Sequence, residues 1–278
     1  MNVTKILVII SFVLLTPLTH TAADPTTGPL VGALRWDGWN TGQNWPDGSP
    51  NDWGIWSELI LTPPQWRYRL PFYSTISATG AVQIRLDSQQ KMDQEIAYAK
   101  AGGLDYWAFD FYGNNGPFGD ALQRYRASSR KSDMKFALVV AQWPAGAPNR
   151  RTQIVNHMAD PQYVTVLGGR PLLYFFTPDP LTASDISGLR SAAMAIGLPN
   201  PYLVLMTWNP NDGRTTALGF DAISAYASAP AGPVGAVPYS ILAAENQAVW
   251  NAGKSNGLKV VPIVNTARRR WRVPERAT

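Results

Sequence analysis

Beyond residue 29 the chain alternates between short, wholly apolar runs and longer stretches whose apolar positions recur at helical spacing. The runs at 30–36, 104–112, 135–143, 171–177, 201–208, 222–226 and 258–265 show no polar alternation, which predicts strands buried on both faces. Between them, 87–103 reads as a helix with Met92, Ile96 and Ala99 on one side and a stop at Gly102-Gly103. Helices are also predicted over 119–131, 150–159, 211–218 and 239–254. Another, capped by Thr182 or Ser184, runs to about Ile196. Strands alternating with helices specify an α/β chain with a parallel sheet. Several strand ends recur at intervals close to one βα unit. The predicted fold is therefore of the (β/α)8 TIM-barrel type, incomplete at seven strands and forming one domain. A doubly wound nucleotide-binding sheet is the alternative, but VGALRWDGW after the first strand is neither GxGxxG nor GxxxxGK. Residues 37–86 are too long for an ordinary connection and are expected to fold over the barrel mouth.

Composition narrows the chemistry. Of the 278 residues, 45% are hydrophobic and 15% charged, which excludes a disordered chain. The absence of cysteine excludes disulfides, thiolate zinc sites, iron–sulfur clusters and a Cys nucleophile. Two histidines, His20 and His157, exclude a multi-histidine metal site, and no motif calls for a metal or cofactor. Setting aside Lys5 and the five Arg and one Glu of the last twelve residues leaves 18 basic and 18 acidic groups. The net charge of +5 thus belongs to Lys5 and the tail 267–278, which is expected to be disordered, and no basic face for nucleic acid is expected. Residues 1–23 combine Lys5, an apolar run at 6–15 and Thr21-Ala22-Ala23. They read as a signal peptide too short to span a bilayer, with an uncleaved anchor as the alternative. The mature chain, 24–266, is expected to be secreted or periplasmic and free of the membrane.

In a barrel the reactive groups sit at the C-terminal strand ends. Those ends here carry Trp36-Asp37, Asp110-Phe111-Tyr112, Gln142-Trp143, Trp208-Asn209, Tyr226 and Asn265. A sugar offers an apolar ring face and a rim of hydroxyls, which suits aromatic rings flanked by Asp, Asn and Gln. Six of the 11 Trp fall within 36–66, in the mouth segment. Trp36, Trp143 and Trp208 are the expected sugar platforms, with Tyr112 and Asn209 beside them. Tyr226 is the expected hydrogen-bond donor near a leaving group. Glycosidic cleavage needs two flanking carboxyls, and Asp37 and Asp110 are the best-placed acids. Asp105, Asp179 and Asp212 are expected to be structural, Glu58 a surface charge, and His157 a helix residue ill-suited to catalysis. A Ser–His–acid triad has no GxSxG support.

The runs VGALRWDGW, WSEL, YRLPFY and MDQEIAYAKAGGLDYWAFDFY, followed by GGRPLLYFF, PYLVLMTWNP, DAISAYA and KVVPIVNT, resemble the glycoside hydrolase family 99-like proteins of bacteria over about residues 30–266. The ordered set carries the resemblance, not any single motif. It implies a (β/α) barrel with a carbohydrate site at its mouth. Relatives of that kind include endo-acting mannoside hydrolases and proteins assigned to glycan synthesis. Two departures stand out. The family's Gly-Trp-Asp-x-x-Pro-Arg-like turn after the seventh strand is replaced here by Ala267-Arg268-Arg269-Arg270-Trp271-Arg272. Its eighth-strand Trp-Asn-Glu-aromatic-x-Glu motif is absent, so no catalytic Glu carries over. The expectation is a glycan-directed barrel that hydrolyses glycosidic bonds or, if truncated and inactive, binds carbohydrate without turnover.

Overall fold

The computed structural model describes residues 28–40, 42, 44–45, 47–141, 143, 148–176, 181–226 and 238–264. The expected leader and Arg-rich tail lie outside them, as do Gln142, Thr177, Asp179 and Asn265. The chain divides into two compact units, Met1–Leu30 and Val31–Thr278, and among the described residues every strand and helix belongs to the second. Among the described residues no helix is long and apolar enough to cross a membrane.

Strands β1 (Gly32–Arg35), β4 (Tyr106–Phe111), β5 (Lys135–Val140), β7 (Arg170–Phe176), β8 (Tyr202–Met206) and β9 (Ala222–Ser224) pair in that order, all parallel. Two short strands, β2 (Thr75–Ile76) and β3 (Val82–Gln83), form a separate hairpin, and β6 (Thr165–Val166) pairs antiparallel with the start of β7. Strand order follows chain order without reversal. A doubly wound sheet, whose order switches direction in mid-sheet, is thereby excluded. The helices are α1 (Asp52–Leu61), α2 (Gln89–Ala101), α3 (Gly116–Ala127), α4 (Pro148–Met158), α5 (Ala183–Ala195), α6 (Arg214–Ala217) and α7 (Tyr239–Ser255). The expected seventh parallel strand is a single bridge: Val260 pairs with Ile223, held by hydrogen bonds from Ile223 N to Lys259 O and from Val261 N to Ile223 O.

Side-chain alternation along the strands builds two separate cores. Trp107, Phe109 and Phe111 of β4, Phe136, Leu138 and Val140 of β5, and Leu173 and Phe175 of β7 point toward Met92, Ile96, Leu122, Tyr125, Ile154 and Leu189 on the helices. The other face gathers Tyr106, Ala108, Ala137, Val139, Tyr174, Val204 and Met206. The sheet curls around this second face. The Tyr106 and Tyr174 hydroxyls meet at 2.9 Å although β5 runs between their strands. Tyr106 also lies flat on Gly32, where a Cβ would stand 2.1 Å from its ring. Larger still is the step from β4 to β9, four strand spacings or about 19 Å along a flat sheet. Yet Tyr226, just beyond β9, hydrogen-bonds Asp110 of β4 at 2.8 Å. Only a sheet rolled into a partial barrel allows that contact.

Helix boundaries follow local capping. Ser88 begins α2 by accepting a hydrogen bond from Lys91 N, and Gly103 ends it in the left-handed region at φ 83°. Thr182 caps α5 in a reciprocal capping box with Asp185. The mouth segment contains α1, a 3₁₀ turn at Pro64–Arg69 and the β2–β3 hairpin, none of which the apolar pattern predicts. Asn51 fixes α1 in place. Its Oδ1 accepts from Gly54 N, and its Nδ2 donates to the carbonyls of Gly38 and Asn40 just after β1. Glu58 is no surface charge: its Oε1 accepts the Ile84 N–H at 2.7 Å and ties α1 to the chain leading into α2.

Candidate active site

Asp110 sits at the end of β4 on the inner face, 4% exposed. Its Oδ2 accepts the Tyr226 hydroxyl at 2.8 Å, while Oδ1 is buried with no hydrogen-bond partner. Burial pushes the carboxyl up to about 7, against the pull of the Tyr226 hydrogen bond and with help from the charge of Asp37. Burial and the Asp110 charge together drive the Tyr226 phenol well above its ordinary value. A carboxyl raised in this way toward neutrality is suited to general acid or base chemistry.

A cluster of aromatic rings lies beside this pair. Tyr112, two residues beyond Asp110, stacks on Phe118 at 4.4 Å, and its phenol is raised by burial and by the charge of Asp110. Trp36 meets Trp53 edge-on at 6.1 Å and Phe118 at 5.9 Å, and Trp45 lies 6.0 Å from Phe118. These five rings line a hollow of about 330 Å³. Trp36 can turn in this direction because its ring folds over Gly38, where a Cβ would be 2.5 Å away. On the β9 side, Phe176 packs against both Tyr226 at 4.7 Å and Trp208 at 5.3 Å.

The structure therefore brings together Asp110, Tyr226, Tyr112 and Trp36, with Trp208 linked to them through Phe176. It separates three expected site residues. Asp37 is 1% exposed, and both its oxygens accept from the Arg35 guanidinium at 3.0 and 3.1 Å. Arg35 also binds Glu95 at 2.8 Å and lies over Trp107, on the helix side of the sheet. Burial alone would lower the Arg35 pKa, but Asp37 and Glu95 more than offset it and the net shift is upward. Burial likewise raises the Asp37 carboxyl, to about 6, against the attraction of Arg35. Asp37 is thus held in a buried ion pair with Arg35. Trp143 is 7% exposed, packs on Phe175 in the helix-side core and donates to Asp185, so it offers no ring face at the mouth. The chain leaves β5 before Trp143, and the strand period no longer governs its direction. Asn209 is exposed and its Oδ1 accepts from Asn211 N, a local turn contact.

Other acids have the structural places expected of them. Asp105 accepts from Val31 N at 2.8 Å, and Asp212 is bound to Arg214 and Thr207. His157 is buried on α4, and burial and Arg126 lower it to about 4, so it is neutral. Its Nε2 lies 2.9 Å from Asn114 Oδ1. Among the described residues no group of three or more acids and histidines could hold a metal ion. Sequence reasoning missed Trp45, Trp53, Phe118 and Phe176. The clustering of Trp in the mouth segment was the available signal for the first two.

No family model and no curated protein matches the chain. Among solved structures it is similar to the family 99 endo-α-mannosidase of Bacteroides thetaiotaomicron, at 12% identity and TM-score 0.47 over 65% of this chain and 55% of that one. The same enzyme with bis-tris-propane gives 12% and 0.45 over 64% and 57%. A debranching enzyme of Nostoc punctiforme gives 11% and 0.38 over 80% and 63%. The chain spans little more than half the length of the mannosidase structures. The mannosidase bears the family name that the sequence motifs resemble. At these identities and TM-scores neither its site residues nor its substrate transfer, and the barrel stands on its own strand order and register.

Proposed function

We propose that this protein is a glycan-directed barrel whose Asp110 acts as the acid or base in cleavage of a glycosidic bond. The observation that carries the reading is the Asp110–Tyr226 contact across the mouth. Tyr226 anchors the carboxyl through Oδ2. A glycosidic oxygen brought to that carboxyl would receive its proton as the bond to the anomeric carbon breaks and water adds to that carbon. Tyr226 then stabilises the carboxylate left behind. The ring-lined hollow next to it would hold the adjoining part of the chain of sugars. A leader at 1–23 would place this activity outside the cytoplasm.

The test is release of reducing ends from mannans and other polysaccharides. Release that Asp110→Asn abolishes is the expected result, and undiminished release from that variant overturns the role of Asp110. A second reading, binding without turnover, is favoured by the ion pair that removes Asp37 from the pair of carboxyls hydrolysis requires. Affinity for a polysaccharide with no release of reducing ends would establish that reading instead.

A further inference from the structure

The hollow beside Asp110 is an unusual receptor for a neutral sugar. A pyranose is best covered by one flat ring while its hydroxyls find carboxylate, amide or guanidinium partners around the edge. Here the rings form a corner, not a plateau: Trp36 and Trp53 stand at 90° and Trp36 and Phe118 at 73°. None of the described lining residues bears a charge or an amide. Each π face concentrates negative potential above its plane, so a hollow walled by rings attracts positive charge. Such a corner suits a compact cation. The described lining holds no Lys or Arg to repel one.

The geometry points to an alkylammonium group as the occupant of the five-ring corner, and hence to glycans with free, positively charged amino sugars as the substrate class. This rests on the glycan reading above and adds to it the chemical identity of the sugar next to the scissile bond.

Tryptophan fluorescence of the full chain provides the test, because three indoles line the hollow. The probes are an oligomer of glucosamine, its fully N-acetylated counterpart, a neutral manno-oligosaccharide and choline, under mildly acidic conditions where the amines are charged. The expected result is binding of the glucosamine oligomer about tenfold tighter than the acetylated one, the size of a desolvated cation–π contact. Choline should displace the glucosamine oligomer competitively. Trp53→Ala should erase the preference with little change in thermal stability, since Trp53 is 60% exposed. Equal affinity for charged and acetylated oligomers, without competition by choline, overturns the inference while leaving the glycan reading intact. Choline binding with no affinity for any oligosaccharide keeps the cation site and removes the glycan reading. Should Trp53→Ala fail to fold, the choline competition on the unaltered protein decides.

Discussion

Asp110 should be a stability liability above neutral pH, and replacing it should reveal how large a one. Its carboxyl moves from 3.8 to about 7 on folding. A pKa raised in the native state means that the folded chain binds a proton which the unfolded chain has already released. Stability is therefore full below the unfolded carboxyl's range and falls as pH rises toward about 7. The displacement corresponds to a loss on the order of 4 kcal/mol once both states are ionised. Asp110→Asn removes that loss but places an amide where Oδ1 was buried without a partner, at a cost of about 1–3 kcal/mol. The variant should accordingly be less stable than the parent near about pH 4.5 and more stable by about 1–3 kcal/mol near about pH 8. For a chain of this size that is a rise in Tm of roughly 3–10 °C at the higher pH. Thermal melts of both proteins across the range make the comparison, and the other titrating groups cancel in the difference. A Tm difference that stays constant with pH would refute the argument, because it would mean that Asp110 titrates like an exposed carboxyl. The same variant should lose activity, the exchange of stability for function found at strained active sites.

His157 acts in the opposite direction. Its imidazole is lowered to about 4, so the unfolded chain takes up a proton first, and stability should fall as pH drops from about 6.5 to about 4, by on the order of 3 kcal/mol. His157→Gln should flatten that acid limb in pH-dependent melts; an unchanged slope would place the effect elsewhere. Trp143→Ala should cost about 3–5 kcal/mol as a core truncation, whereas Trp208→Ala, at an exposed ring, should change Tm little and weaken glycan binding. Equal effects of the two on chemical denaturation would contradict the placement of Trp143. Gly119→Ala would put a Cβ 2.3 Å from the Asn114 carbonyl oxygen, and should lower stability by about 1–3 kcal/mol with displacement of the loop that reaches His157. Wild-type stability of that variant would show that the loop can shift freely.

The alternating framework was legible because buried parallel strands are apolar on both faces and leave no ambiguity of period. All six described parallel strands lie within the apolar runs, apart from the start of β7 at Arg170. The seventh run, 258–265, joins the sheet among its described residues through the parallel bridge at Val260, and a Val-rich stretch looks the same whether it forms a full ladder or one bridge. Helix α1 escaped notice because its residues are apolar all round, with Trp53, Ile55 and Leu59 exposed, so no face stands out. At the site, strand-end position singled out Asp110 and Tyr226, which lie 116 residues apart in sequence and meet in a hydrogen bond. It gave no sign that Arg35 captures the Asp37 carboxylate, since a guanidinium two residues away leaves no mark in a pattern of apolar runs. It failed for Trp143 because a residue past the last ladder bond takes its direction from the loop.

The pairing of β1 with β4 has a kinetic consequence. Val31 and Asp105, which bond at the start of this ladder, are 74 residues apart, whereas β4 and β5 adjoin across a single helix. Closing so long a loop before any pairing rewards it is slow. Strand β1 must therefore wait, exposed, until the second half of its ladder has emerged. Its brevity, four residues led by a glycine, limits what it can stick to in the interval.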